Sequence, residues 1–140
     1  MKTLLEFYLQ YFNFLYLDPR YHITNSETSG NLTINASLTL TGPLISWNLF
    51  NDRGQMGFAI APTQLAASPE NWFRISVVRQ YLDNYDETNF VPPEATVAWT
   101  RDNLGRIEEL FSETTAASSC KALIALEESL ANKYFGPPKA

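Results

Sequence analysis

The chain holds one histidine and one cysteine, which narrows its chemistry from the outset. His22 lies between Tyr21 and Ile23. A Ser–His–Asp relay or a metal site would need partners placed against it in space, and packing or exposure at a strand start explains it as well. Cys120 lies in an Ala/Leu-rich helical stretch with no base adjacent in sequence. A nucleophilic thiolate needs an electropositive, partly exposed setting, so Cys120 reads as a reduced, buried small hydrophobe. A disulfide framework within one chain and a four-ligand zinc site are excluded. No H-E-x-x-H, Walker-type Gly-Lys-Ser/Thr loop, G-x-S-x-G or dinucleotide-type glycine triplet occurs. What remains is carboxylate chemistry, a glycosidase-like pair or a site shared with Tyr residues, and no spacing singles out a pair. No catalytic residue, metal ligand or cofactor is assigned.

Charge is distributed more informatively than any motif. From Asp83 to Glu113 eight acidic residues face only Arg101 and Arg106, a local balance of −6, while the remaining chain carries seven acids and eight bases. The whole excess of the −5 chain therefore lies in one loop and the helix that follows. Interleaved with the acids are Tyr85, Phe90, Val91 and Trp99. Charge steers encounter and aromatic side chains anchor contacts, so the segment reads as a surface for a basic protein. Its candidate contact residues are Tyr85, Asp86, Glu87, Phe90, Glu94, Trp99, Glu108 and Glu109. An ordinary solvated loop and helix would show the same charge excess.

A second surface comes from the first helix, which holds six of the 19 aromatic residues between Phe7 and Tyr16. Leu4, Leu5, Tyr8, Leu9, Phe12 and Leu15 with Tyr16 follow a helical stripe. Phe7, Tyr11 and Phe14 lie off it, so the helix is apolar nearly all round, and such a helix is normally covered on more than one side. Phe7, Tyr11 and Phe14 are the candidate self-association residues, pointing to a homodimer.

The elements that position these groups follow from periodicity. The first helix spans 3–16 and stops at Asp18-Pro19. Strands are expected over 21–27, 32–41, 44–50 and 55–61. The second alternates Leu32, Ile34, Ala36, Leu38 and Leu40 with Thr33, Asn35, Ser37, Thr39 and Thr41, one buried and one wet face. Ile45, Trp47 and Leu49 share a face of the third, and Met56, Phe58 and Ile60 of the fourth, with Asn51-Asp52-Arg53-Gly54 as the hairpin between them. Ser68-Pro69-Glu70 has the features of a helix start, with Trp72, Ile75, Val78, Tyr81 and Leu82 facing inward. A loop covers 84–95, with an extended piece at 96–99. Thr100 or Asp102 caps a further helix with Leu104, Ile107, Leu110 and Phe111 inward, and a last helix runs from Thr115 to Gly136. The reading is α+β: an N-terminal helix, a four-stranded antiparallel β-meander, then three helices packing on one face of the sheet. At 140 residues this is one domain, 1–140, with room for a core without metals or disulfides.

Composition closes off other classes. With 15 acids against 10 bases, a nucleic-acid partner held by phosphate contacts is not expected. Apolar content of 45% against 18% charged argues against disorder. The N-terminal stretch carries Glu6, Gln10 and Asn13 and lacks a basic start and small-residue cleavage site, so neither a membrane span nor a signal peptide is expected. A cytoplasmic location follows.

The element order, with Ser46-Trp47-Asn48-Leu49-Phe50-Asn51-Asp52-Arg53-Gly54-Gln55 followed by Pro69 to Leu82, resembles the small acidic immunity proteins of bacterial toxin systems. A helix, an antiparallel sheet and a closing helix also resemble the secretion-chaperone-like fold. The first resemblance implies a non-enzymatic inhibitor that occupies a basic toxin or effector, the second a dimeric adaptor. A small hydrolase or ligand-binding protein with a carboxylate/Tyr site is the reading from a different class. Both resemblances concern architecture, so no residue role is transferred.

Overall fold

The computed structural model describes residues 1–30, 35–84 and 91–136. Its order is α1 (Lys2–Tyr11), α2 (Asn13–Tyr16), β1 (His22–Thr28), β2 (Ala36–Thr41), β3 (Ile45–Asp52), β4 (Gln55–Pro62), β5 (Phe73–Arg74), α3 (Ile75–Asp83), α4 (Pro93–Asp102), α5 (Leu104–Leu110) and α6 (Ala116–Phe135). The strands form one antiparallel sheet in the order β1-β2-β3-β4-β5. The α+β architecture is the one the sequence predicts, with a fifth strand added.

Period-two alternation sets the core. Leu38 and Leu40 on β2, Ile45, Trp47 and Leu49 on β3, and Phe58 and Ile60 on β4 are all buried. The register aligns them as rows, with Leu40 opposite Trp47, Trp47 opposite Ile60, and Leu49 between Leu38 and Phe58. Leu4, Tyr8 and Phe12, Leu15, Ile75 and Val78, Val97, Ile107, and Cys120 with Leu123 close the same cluster from the helices. The opposite face carries Ser37, Thr39, Thr41 and Asn48, where the Asn48 amide donates to Thr39 Oγ1 at 3.2 Å. Phe50 lies across Gly57 on that face: a Cβ on Gly57 would come within 2.7 Å of the Phe50 ring.

Trp47 is fully buried at the centre, with Phe12, Phe14, Tyr21 and Phe58 ringing it at centroid distances of 6.1 to 6.4 Å. Its indole N–H has no hydrogen-bond partner of good geometry, although the Tyr21 hydroxyl is close enough to feel its dipole.

Several expectations are corrected by this packing. The first helix is not continuous: Phe12 adopts φ −108° and ψ 25° between α1 and α2, inserting its fully buried ring 5.0 Å from that of Phe58. Leu5, Leu9 and Tyr16, expected on the core stripe, are exposed. The polar alternation of the second strand breaks at Asn35, whose φ of 56° is left-handed. There its Oδ1 accepts the Arg53 backbone N–H at 3.1 Å, a conformation Asn tolerates. Leu32, Thr33 and Ile34 lie outside the described residues. Pro69–Asn71 is a 3₁₀ turn without a side-chain cap. Phe73 then pairs with Ile60 as part of β5, and the helix begins only at Ile75. Trp72 therefore precedes α3, and its indole N–H donates to the Ala66 carbonyl at 2.9 Å. Tyr81, on α3, is exposed.

The largest correction is α4. Residues 96–99 are helical, and four helices, not three, follow the meander among the described residues. Pro93 occupies the first turn of α4, where its missing N–H costs nothing. Thr100 and Asp102 lie inside α4, and Thr100 Oγ1 donates back to the Thr96 carbonyl at 2.8 Å.

Candidate functional site

The acidic segment is built on the ends of three helices. Asn84, with φ 50°, caps α3 in the left-handed conformation, leaving Asp83 on the last turn. The Trp99 indole N–H on α4 donates to Asp83 Oδ2 at 2.9 Å. Arg106 on α5 donates to Asp83 Oδ1 at 2.8 Å, to Asn103 Oδ1 at 2.9 Å and to the Leu82 carbonyl at 3.1 Å. Arg79 places its guanidinium 5.4 Å from the Trp99 ring centroid. The Arg106 hydrogen bond holds the Asp83 carboxyl below its ordinary range, with the Trp99 N–H adding to it. Trp99 is thus half-buried and fixed from two sides.

The segment's acids divide into two groups. Asp83 is tied to Arg106, Asp102 lies 3.5 Å from Arg101, and Glu108 meets Arg20 at 3.5 Å. Arg20 also pairs with Asp18 at 2.9 Å, whose carboxyl is lowered chiefly by that side-chain hydrogen bond. Glu94, in the first turn of α4, Glu109 and Glu113 are exposed and form no ion pair among the described residues. Of the candidate contact residues, Glu94 and Glu109 therefore present free charge, while Glu108 and Trp99 are engaged internally. Tyr85, Asp86, Glu87 and Phe90 lie outside the described residues. Arg101 and Arg106, the two bases within the segment, each take up one of its acids, and Arg20, from outside it, takes up a third that the sequence did not assign to it. The pairing of Arg20 with Glu108 spans 88 positions, which no local pattern reveals.

Phe7, Tyr11 and Phe14 are half-buried and packed against the core. The exposed apolar residues of that region are Leu5, Leu9, Tyr16 and Leu17.

His22 is exposed at the start of β1. Burial raises the Cys120 thiol above its ordinary value, so the free cysteine stays protonated. A cleft of about 340 Å³ opens at one end of the sheet, lined by Glu27, Thr28, Ser29, Asn35, Ala36, Ser37, Asn51 and Asp52. Its acids are exposed and its lining contains no Tyr. Among the described residues, no group of three or more His, Cys, Asp or Glu side chains could hold a metal ion. No helix there is long and apolar enough to cross a membrane. Compared with protein-family models, curated proteins and solved structures, the chain matches none.

Proposed function

We propose that this chain is a non-enzymatic protein-binding module that engages a basic protein, a toxin or effector of the kind immunity proteins neutralise, through the acidic surface of α4 and α5. The observation that supports this reading is the division of the acids. Asp83 and Glu108 are consumed in internal ion pairs with Arg106 and Arg20, whereas Glu94, Glu109 and Glu113, from the same stretch of chain as the half-buried Trp99, remain exposed. Free carboxylates steer a cationic partner, and a rigid aromatic offers contact area with little rotamer entropy left to lose. Tyr85, Asp86, Glu87 and Phe90 join this surface on sequence grounds alone. A cytoplasmic setting accompanies the reading.

The test is kinetic. With the partner isolated from the native host, Glu94→Lys and Glu109→Lys together should lower the association rate by roughly tenfold and flatten its salt dependence. An unchanged association rate at low salt would overturn the reading.

A second reading, a dimeric adaptor using the first helix, is supported by the exposure of Leu9 (53%) and Tyr16 (61%). Leu9→Lys would abolish self-association on that reading.

A further inference from the structure

β1 is an edge strand, and all seven of its residues are exposed. Thr28 pairs with Ala36 and Glu27 with Ser37, while the Ser29 N–H donates to the Asn35 carbonyl at 3.0 Å. In an antiparallel ladder, this register turns the N–H and C=O of Asn25 and Glu27 toward β2 and those of Ser26 and Thr28 toward the open edge. β1 carries neither Lys nor Pro, the usual guards of such an edge. Its one interruption is the irregularity between Ile23 and Asn25, a bulge that limits regular pairing to the segment after Thr24.

We propose that this edge pairs antiparallel with β1 of a second copy of the chain, joining two sheets into one of ten strands with the two-fold axis at Ser26. The register singles out that position. An axis at Thr28 would oppose Ser26 with Gly30, whose φ of 93° has already left the strand. An axis at Glu27 would bring two carboxylates face to face. An axis at Asn25 would set Thr24, in the bulge, into both of its central hydrogen-bonded pairs opposite Ser26, whereas an axis at Ser26 brings Thr24 only against Thr28 at the end of the ladder. At Ser26 the two copies exchange both backbone hydrogen bonds of that residue, and Asn25 of each copy stands opposite Glu27 of the other. The two side chains are complementary, an amide donor and a carboxylate acceptor, and they already reach each other along one strand at 3.5 Å. This contact involves neither the acidic surface of α4 and α5 nor the exposed leucines of α1.

Sedimentation equilibrium on the full chain up to about 200 µM should show a monomer–dimer equilibrium. Ser26→Pro should leave a monomer with unchanged circular dichroism, because the lost N–H makes no bond within its own sheet. Asn25→Lys should tighten the dimer by roughly tenfold, by setting an ammonium against Glu27 of the other copy, and Asn25→Asp should weaken it. A monomer at every concentration overturns the proposal. So does a dimer that survives Ser26→Pro but is lost in Leu9→Lys. Should Ser26→Pro fail to fold, the Asn25 pair decides: shifts of the same sign for Lys and Asp overturn the proposal.

Discussion

Asp83 holds Trp99: one carboxylate oxygen accepts the indole N–H at 2.9 Å, while the other accepts Arg106 at 2.8 Å. One side chain thereby joins α3, α4 and α5, elements separated in sequence by residues 84–92 and by Asn103. The acid that begins the negative segment is thus a structural hub rather than free surface charge.

Asp83→Ala should therefore destabilise the fold by about 1 kcal/mol, a modest figure because the pair is solvent-screened. Asp83→Asn keeps an acceptor for the indole but loses the ion pair, so its cost should be about half as large. Urea unfolding followed by tryptophan fluorescence checks both. Equal costs would mean that the indole hydrogen bond contributes nothing.

Gly57 faces Phe50 across the β3–β4 pair, and a Cβ there would come within 2.7 Å of the ring edge. Gly57→Ala must displace the Phe50 ring, at about 1 kcal/mol of stability. Because the clash is with that ring alone, the same substitution should cost less in a Phe50→Ala background. A double-mutant cycle in urea reads the coupling directly, and full additivity would remove this account.

The parts of the fold legible in sequence were those governed by local periodicity. Leu38 and Leu40, Ile45 to Leu49, and Phe58 with Ile60 alternate because each strand has one buried face. Cys120 and Leu123 likewise mark the inward face of α6. What local pattern missed was decided by distant packing. Thr96 to Trp99 contains β-branched and aromatic residues that favour a strand, yet Pro93 opens a helix there and Val97 is buried in the core. Phe73 joined the sheet through Ile60, a partner thirteen positions away. In the site, net charge was readable but its allocation was not, since Arg20 and Arg106 reach Glu108 and Asp83 only after folding.

Acid should loosen the helical layer. Asp18 and Asp83 have carboxyls lowered chiefly by side-chain hydrogen bonds from Arg20 and Arg106. A carboxyl depressed in the folded state contributes stability that is present above its unfolded value and lost as pH falls through the folded one. Thermal unfolding should therefore drop in midpoint below about pH 4, and Asp83→Asn should flatten that drop. A mutant with the same acid dependence as the parent would show that Asp83 is not among the responsible groups.

Alkali should act on the core by the opposite sign. Tyr8 and Tyr21 are raised above the ordinary phenol value, chiefly by burial, and burial raises the Cys120 thiol in the same way. An acid whose neutral form is favoured by folding ionises first in the unfolded chain. Its contribution is complete below the unfolded value and is lost as pH rises toward the folded one. For the thiol that loss begins near pH 9 and for the phenols near pH 10, by about 1.4 kcal/mol for each unit of separation between folded and unfolded values. Tyr21 lies against Trp47 and Gly42, so ionising it forces charge toward the centre of the aromatic cluster. Tyr21→Phe should therefore lose less stability than the parent between about pH 9 and 11, and adding Cys120→Ser should shrink the loss at the lower end of that range. Urea midpoints at matched ionic strength give the comparison. An alkaline loss that persists undiminished in both variants would place the titrating group elsewhere in the chain.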